Sequence, residues 1–362
     1  MVEKSLDSLP YPNLHWIQGI ATSIDPEHKR LFVQHTNTKT TTSTFTLPLE
    51  YDKLCICTGA RPKRVLHNPH VMVLRDTDSV QALAHRLTDA RHVAVVGNGG
   101  IALELAHALR GLDVTWVVRH GHIGDAFFDV DAAQFFLEEL EQERKCDRGA
   151  SAVTVVTVQA VPPKDGALQA EPQQQDKNEN STDDDVMGHA VGPAWTTSLP
   201  SGPSNDKGTF TIKRSVDVVA ITSTNEKNVK EENDNFPFHV TLSDGSTLST
   251  DVVISVIGVE PAVEWVPAQA ERHPRDGGLV VNAAMETTMR GVFAAGDACT
   301  MTWAVTASPH WFQMRLWSQA RAEGVYAAHC MAGVVEEVGS GMAFEVFTHV
   351  TRFLGKKVSF CF

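Results

Sequence analysis

Residues 93–109 read VAVVGNGGIALELAHAL, and this stretch decides the fold. Val93, Ala94, Val95 and Val96 make an apolar run of strand length, and Gly97, Gly99 and Gly100 interrupt it. Ile101, Leu105, Ala108 and Leu109 then recur at helical spacing. A strand, a glycine-rich turn and a helix in that order receive the diphosphate of a dinucleotide. Gly97 permits the tight turn, Gly99 lets the backbone approach the diphosphate, and small Ala102 lets the helix pack on the strand. Free N–H groups and the positive helix end then face the anion. A second strand, Val114 to Val118, follows, which favours a nucleotide-binding turn over an ordinary strand-turn-helix connection.

At the end of that second strand, 22 residues after Gly97, the ribose-reading position holds Arg119. An acidic residue there would accept hydrogen bonds from the 2'-hydroxyl of NAD, whereas arginine pairs with the 2'-phosphate of NADP. The reading leans to NADP and leaves NAD open. His120 and His122 add positive charge, Asp125 opposes it, and a solvated strand end is the alternative role for Arg119.

Two further strand ends flank this unit. Residues 51–63, YDKLCICTGARPK, end a buried strand in Thr58, Gly59 and Ala60, and residues 291–299, GVFAAGDAC, end another in Gly296 and Asp297. With these residues and with TLSDGSTLSTDVVISVIGVEPAVEW (241–265), the chain resembles the pyridine nucleotide-disulfide oxidoreductase superfamily of flavoproteins. VVRHGHIGDAFFD (117–129) and QMRLWSQARAEGVYAAHCMAG (313–333) extend the resemblance over nearly all of the chain except 160–235.

The resemblance implies a two-dinucleotide-binding-domain α/β flavoprotein fold, with a nucleotide domain inserted between two pieces of a flavin domain. The expected divisions are 1–75 and 258–340 for the flavin domain, 76–257 for the NAD(P) domain and 341–362 for the start of an interface domain. It also implies FAD and NAD(P)H as cofactors. The expected cofactor-binding set is Thr58, Gly59, Ala60, Gly97, Asn98, Gly99, Gly100, Ile101, Glu104, Arg119, Gly258, Gly296 and Asp297. Asp297 would bond the ribityl or diphosphate part of FAD, and Glu104 matches the glutamate that in many family members pairs with a lysine near the flavin, a lysine that would come from the missing N-terminal part, with a surface helix carboxylate as the alternative. A helix through WFQMRLWSQARAEGVYAA, after Pro309, would point its N-terminus at the flavin, with Trp311, Phe312 and Trp317 packed rather than catalytic.

The implied activity is hydride transfer from NAD(P)H to flavin and on to oxygen, a quinone or a protein-bound acceptor, with no side chain needed as acid or base. The resemblance further suggests redox protection of cytoplasmic or nuclear proteins, the tRNA-splicing ligase among them. One departure matters. Such enzymes carry an early glycine-rich turn for FAD, yet residues 1–50 hold Gly19 alone, so the first flavin-binding β-α-β unit is expected to be missing. The strand-like EVFTHVTRF and KKVSFCF at the other end suggest shortening there too. The alternative function is a non-catalytic NAD(P)-binding or interaction module without stably held FAD.

Composition narrows the partners. With 362 residues and 42% hydrophobic content there is material for two cores. A formal charge of −13 argues against a nucleic-acid or anionic-membrane surface, and no apolar run approaches a membrane span. Six cysteines form no CxxC. Cys55 and Cys57 alternate on a strand and read as two small buried thiols, while Cys299 beside Asp297 is a lesser redox candidate. A dithiol-reductase mechanism is thus unsupported, and flavin reacting directly with an acceptor is preferred.

The remaining segments are read from local pattern. Residues 10–50 suggest a β-meander, and 77–90 a helix capped by Thr77 or Asp78. Residues 131–144 suggest a helix with Phe135, Phe136 and Leu140 inward. Residues 162–209, polar and Gln/Asn/Asp-rich, are expected to be a disordered insert in the nucleotide domain. Asp183, Asp184, Asp185 and His189 within it read as a solvated acidic run rather than a metal site.

Overall fold

A computed structural model describes residues 12–36, 44–146, 155–159, 195–200, 208–224, 236–307, 313–334, 348–353 and 356–361. The chain divides into two compact units. One comprises Ala60–Glu260, Ser308–Ala322 and Val338–Phe362, the other Met1–Gly59, Pro261–Ala307 and Glu323–Glu337.

The first unit is built on a five-stranded sheet whose neighbouring pairs are all parallel. Its strands lie in the order Phe210–Arg214, Asp113–Val118, His92–Val96, Val252–Ser255 and Met72–Val73. The apolar runs of the central strands follow from burial on both faces. Val93, Val95, Val114, Trp116, Val252 and Ile254 enter one core with Leu83, Leu87, Leu103, Leu109, Phe136 and Leu140 from the helices. Ala94, Val96, Val117 and Val253 enter a second core with Val218, Phe238, Val240 and Leu242. Those last four belong to a three-stranded antiparallel sheet of Val218–Ser223, Phe238–Leu242 and Thr247–Thr250. The period-two alternation of the strands thus sorts their residues between a helical layer and a sheet layer.

Several local expectations shift. The helix Thr77–Leu87 is capped by Asp76, just before the candidates Thr77 and Asp78, in a reciprocal capping box with Ser79. In the helix Val130–Cys146, Phe136 and Leu140 point inward with Ala133 and Leu137, but Phe135 is exposed, since residues 133, 136, 137 and 140 already occupy the buried stripe. This compact unit includes Ala60 onward: Val65 and Val71 contribute to its second core and Met72–Val73 to its sheet.

The polar insert needs correction as well. Residues 195–200 are ordered, with Trp195–Ser198 in a 3-10 turn, because Trp195 is buried in the first core. The rest of that insert up to Lys207, together with the acidic run, lies outside the described residues. The tail strands Thr348–Phe353 and Lys356–Cys361 form an antiparallel hairpin whose second strand pairs in parallel with Val155–Gln159. Phe353 and Val358 join the first core, so within this structure the hairpin packs with the five-stranded sheet.

The second unit carries the expected meander, Ile20–Asp25, Arg30–Thr36 and Thr44–Glu50, all antiparallel. Val292–Ala294 pairs in parallel with Leu54–Ile56, and Leu279–Val280 with Cys299–Thr300. Ile56, Leu279, Met285, Val292, Ala294 and Met301 are buried there. The late helix runs Trp317–Ala332, starting later than expected: Arg315 takes a positive φ and the Met314 N–H is turned onto Gln319. Trp317 is exposed rather than packed, and Trp311 and Phe312 lie outside the described residues.

Candidate functional site

The glycine turn is tightly constrained. Gly97 adopts φ +143°, and a Cβ there would overlap the Val256 carbonyl, so no other residue fits. Its own carbonyl accepts from Trp116 Nε1 at 2.7 Å, and its N–H donates to Val117 O at 3.1 Å, which fastens the turn to the next strand. Gly99 is the N-cap of the helix Gly100–Ala108. No side chain caps that helix, and nothing lies within 4 Å of where a Gly99 side chain would begin. The first-turn N–H groups of a helix have no intrahelical partner, so this end presents donors and positive potential to open space. Ala102 is fully buried on the strand side, as close helix packing demands.

The neighbours of this turn qualify individual assignments. Asn98 is a clasp: its Nδ2 donates to His122 O at 3.0 Å and to Asp125 Oδ1, while its Oδ1 accepts the Gly124 N–H at 2.7 Å. A Cβ on Gly100 would stand 3.3 Å from the Phe353 ring, so that glycine answers an aromatic neighbour as well. Ile101 is half-buried. Arg119 follows the strand Asp113–Val118 as expected, but its guanidinium meets Asp217 at 2.8 Å, with both side chains largely exposed. Asp125 also holds His120 Nδ1 at 2.5 Å, so the opposing charge read from sequence is engaged locally.

Glu104 is buried, and the indole N–H of Trp195 donates to its Oε2. The structure therefore gives this carboxylate a buried indole partner, which sets aside the alternative of a surface helix carboxylate. A carboxylate taken out of water needs strong donors, and a tryptophan placed in the polar stretch supplies one. PAWTTSLP (193–200) carried that signal, a large aromatic in a segment otherwise poor in core residues. Gly258, φ +92°, sits in open space and its carbonyl accepts the Lys63 N–H at 2.9 Å.

In the other unit, Thr58 Oγ1 donates to Ala262 O at 2.8 Å, and Gly59, φ +69°, accepts the Ala262 N–H at 2.9 Å. Ala60 is buried at the start of a short strand, Ala60–Pro62. Gly296, φ +69°, opens a 3-10 turn that buries Asp297. The Gly296 N–H donates to Glu323 Oε2 at 2.7 Å, and the Cys299 thiol lies on the same oxygen at 3.7 Å. Sequence reading missed Glu323, although an acid among the small residues of ARAEGVYAA was a visible oddity. Cys299 is fully buried, whereas Cys57 is exposed, reversing their expected ranking as accessible thiols. Among the described residues no group of three or more His, Cys, Asp or Glu could hold a metal ion, and no helix is long and apolar enough to cross a membrane.

A parallel nucleotide sheet with its glycine turn, interrupting a second unit that ends a strand in Gly-Asp, defines the class. Residues 11–200 and 210–324 match the pyridine nucleotide-disulphide oxidoreductase family, and the chain belongs to it. It is 35% identical over 336 residues to pyridine nucleotide-disulfide oxidoreductase domain-containing protein 1 of Rattus norvegicus, covering 85% of this chain and 63% of the rat protein. The protein of that name from Drosophila melanogaster is 36% identical over 321 residues, covering 86% and 63%. The chain thus spans somewhat under two thirds of these relatives. Among solved structures, the water-forming NADH oxidase from Lactobacillus brevis bound to NADH aligns with TM-score 0.60 at 15% identity, over 92% of this chain and 56% of that one. A ferredoxin reductase from Rhodopseudomonas palustris aligns with TM-score 0.58 at 18% identity, over 95% and 63%. The fold is that of FAD- and NAD(P)-linked flavoproteins.

Proposed function

We propose that this chain serves FAD-dependent oxidation of NAD(P)H, with residues 97–101 receiving the nucleotide's diphosphate. The observation that carries the reading is the uncapped helix start at Gly99, open to solvent directly after the constrained Gly97 turn. These residues fit the nucleotide: the backbone N–H groups would hold the anion, and the buried sheet would keep the turn rigid. Arg119 would reach the 2'-phosphate of NADP by exchanging its Asp217 partner, so Asp217 sets the strength of that preference. FAD, when bound, supplies hydride acceptance and onward transfer to an acceptor such as oxygen, a quinone or a protein. On this side the chain contributes Asp297, in its buried turn, and the Thr58-Gly59-Ala60 strand end.

A second reading is that these 362 residues by themselves bind NAD(P) without holding flavin. Gly19 is the single glycine of residues 1–50, and a Cβ there would collide with Val33 and the Gln34 carbonyl, so it serves strand pairing and not a phosphate cradle. The purified chain decides between the two. Flavin absorbance that survives gel filtration supports the oxidoreductase, and a colourless protein that binds NADPH supports the module. Failure of both NADH and NADPH to bind overturns both. We further propose a cytoplasmic or nuclear setting with a protein client of the tRNA-splicing ligase type, tested by fractionation and by co-purification with and without NADPH.

A further inference from the structure

The strand Leu54–Ile56 ends one residue before Cys57 and places Cys55 and Cys57 on one side of the chain, as alternation along a strand requires. Their sulphur atoms lie 3.5 Å apart. Cys57 is exposed and Cys55 half-buried, so a reagent reaches one sulphur first and the other stands within reach behind it. We propose that Cys55 and Cys57 form a reversible dithiol–disulfide pair that reacts with small disulfides of the glutathione class, independently of nucleotide binding.

The exchange balances in two steps. The Cys57 thiolate attacks one sulphur of the small disulfide, forming a mixed disulfide and releasing one small thiolate. Cys55 then attacks the Cys57 sulphur, forming the Cys55–Cys57 bond and expelling the second small thiolate, which leaves as a thiol with the Cys55 proton. The protein loses two electrons and two protons, and the small disulfide gains them as two thiols. The roles follow from position. The hydrogen bond between the two sulphurs, together with the Ala295 backbone, lowers the Cys57 thiol to about 7, against the partial desolvation of its sulphur by neighbouring atoms. The same bond raises Cys55, which keeps its proton until the second step. Residues two apart on an extended strand stand near the upper limit of disulfide Cα separation, so closure strains the backbone and the bond is readily reduced again. Because Cys57 lies past the strand's last residue, its side of the loop can take up the movement. Cys299 is fully buried against Gly296 O and Glu323, so it does not compete for the reagent.

The test is incubation of the full chain with oxidised glutathione, quenching by alkylation, and mass spectrometry of the tryptic peptide Leu54–Lys63. The wild type is expected to lose two hydrogens in that peptide. C55S should accumulate a glutathione adduct on Cys57. C57S should show neither, with modification of this peptide slowed about tenfold or more relative to C55S. Dithiothreitol should restore both thiols in the wild type. The proposal is overturned if the wild type keeps a stable mixed disulfide, if Cys57 reacts no faster than Cys330, or if C57S forms the adduct on Cys55. Wild-type chemistry alone suffices should a variant fold poorly. NADPH titration of the variants should match the wild type, so failure here leaves the nucleotide site standing.

Discussion

Two helices of the nucleotide unit begin in opposite ways. At Thr77–Leu87, Asp76 accepts the Ser79 N–H at 2.9 Å and the Ser79 hydroxyl accepts the Asp76 N–H at 3.0 Å, so the helix closes its own exposed donors. At Gly100–Ala108, Gly99 offers no side chain and leaves them open. A capped start contributes stability, and an uncapped start in open space contributes a binding surface. The Gly296 turn of the other unit is a third variation, in which the backbone donor is satisfied by Glu323 from the same unit and the next residue is a buried acid, Asp297. Glycine after a strand is common to the two turns; what occupies the N–H groups separates them.

The largest effect should come from G97A, since φ +143° and the Val256 carbonyl leave no room for a methyl group. A loss of about 3 kcal/mol or more is expected, read as a lowered thermal midpoint, and an unchanged midpoint would show that the turn is laxer than described. Next is G99D, which gives the open helix the cap that its neighbour already has. NADPH affinity should fall about tenfold or more while stability holds or rises by a few tenths of a kcal/mol. Unaltered affinity would break the contrast between the two helix starts.

D76A tests the other side, with an expected loss of about 1 kcal/mol and no change in nucleotide affinity. Ser79 holds the Asp76 carboxyl below its ordinary value, through its N–H and then its hydroxyl. The cap's pH-dependent contribution is therefore complete above the ordinary value of 3.8 and is lost as pH falls through the lowered folded one. Wild type and D76A should accordingly converge in acid, as followed by urea unfolding at several pH values. The smallest effect belongs to D217N, which frees Arg119. Stability should change by less than about 0.5 kcal/mol, as for exposed pairs, while the NADPH-to-NADH affinity ratio rises. A ratio that stays fixed removes Arg119 from cofactor choice.

Where chemistry was local, the sequence disclosed it. The apolar run, the glycines and the small Ala102 announce the turn, although the Val256 carbonyl that makes Gly97 indispensable lies far along the chain. The meander and the parallel order around 92–96 follow from alternation and from strands apolar on both faces. What escaped was pairing across distance. Glu104 with Trp195, Arg119 with Asp217 and Gly296 with Glu323 are each separated by a long stretch of chain that no periodicity reports. The accessibility of Cys57 was hidden for a related reason: alternation says which side chains share a face, not whether anything covers that face.

The buried contact of Trp195 with Glu104 bears on how the polar stretch before it can be edited. A deletion that removed all of 162–209 would take away the indole and strand an acid inside the nucleotide unit, at a cost that resembles a core mutation more than a trimmed loop. Cutting that stops short of Pro193 keeps the anchor in place, and the region's tolerance to shortening should change abruptly at that point.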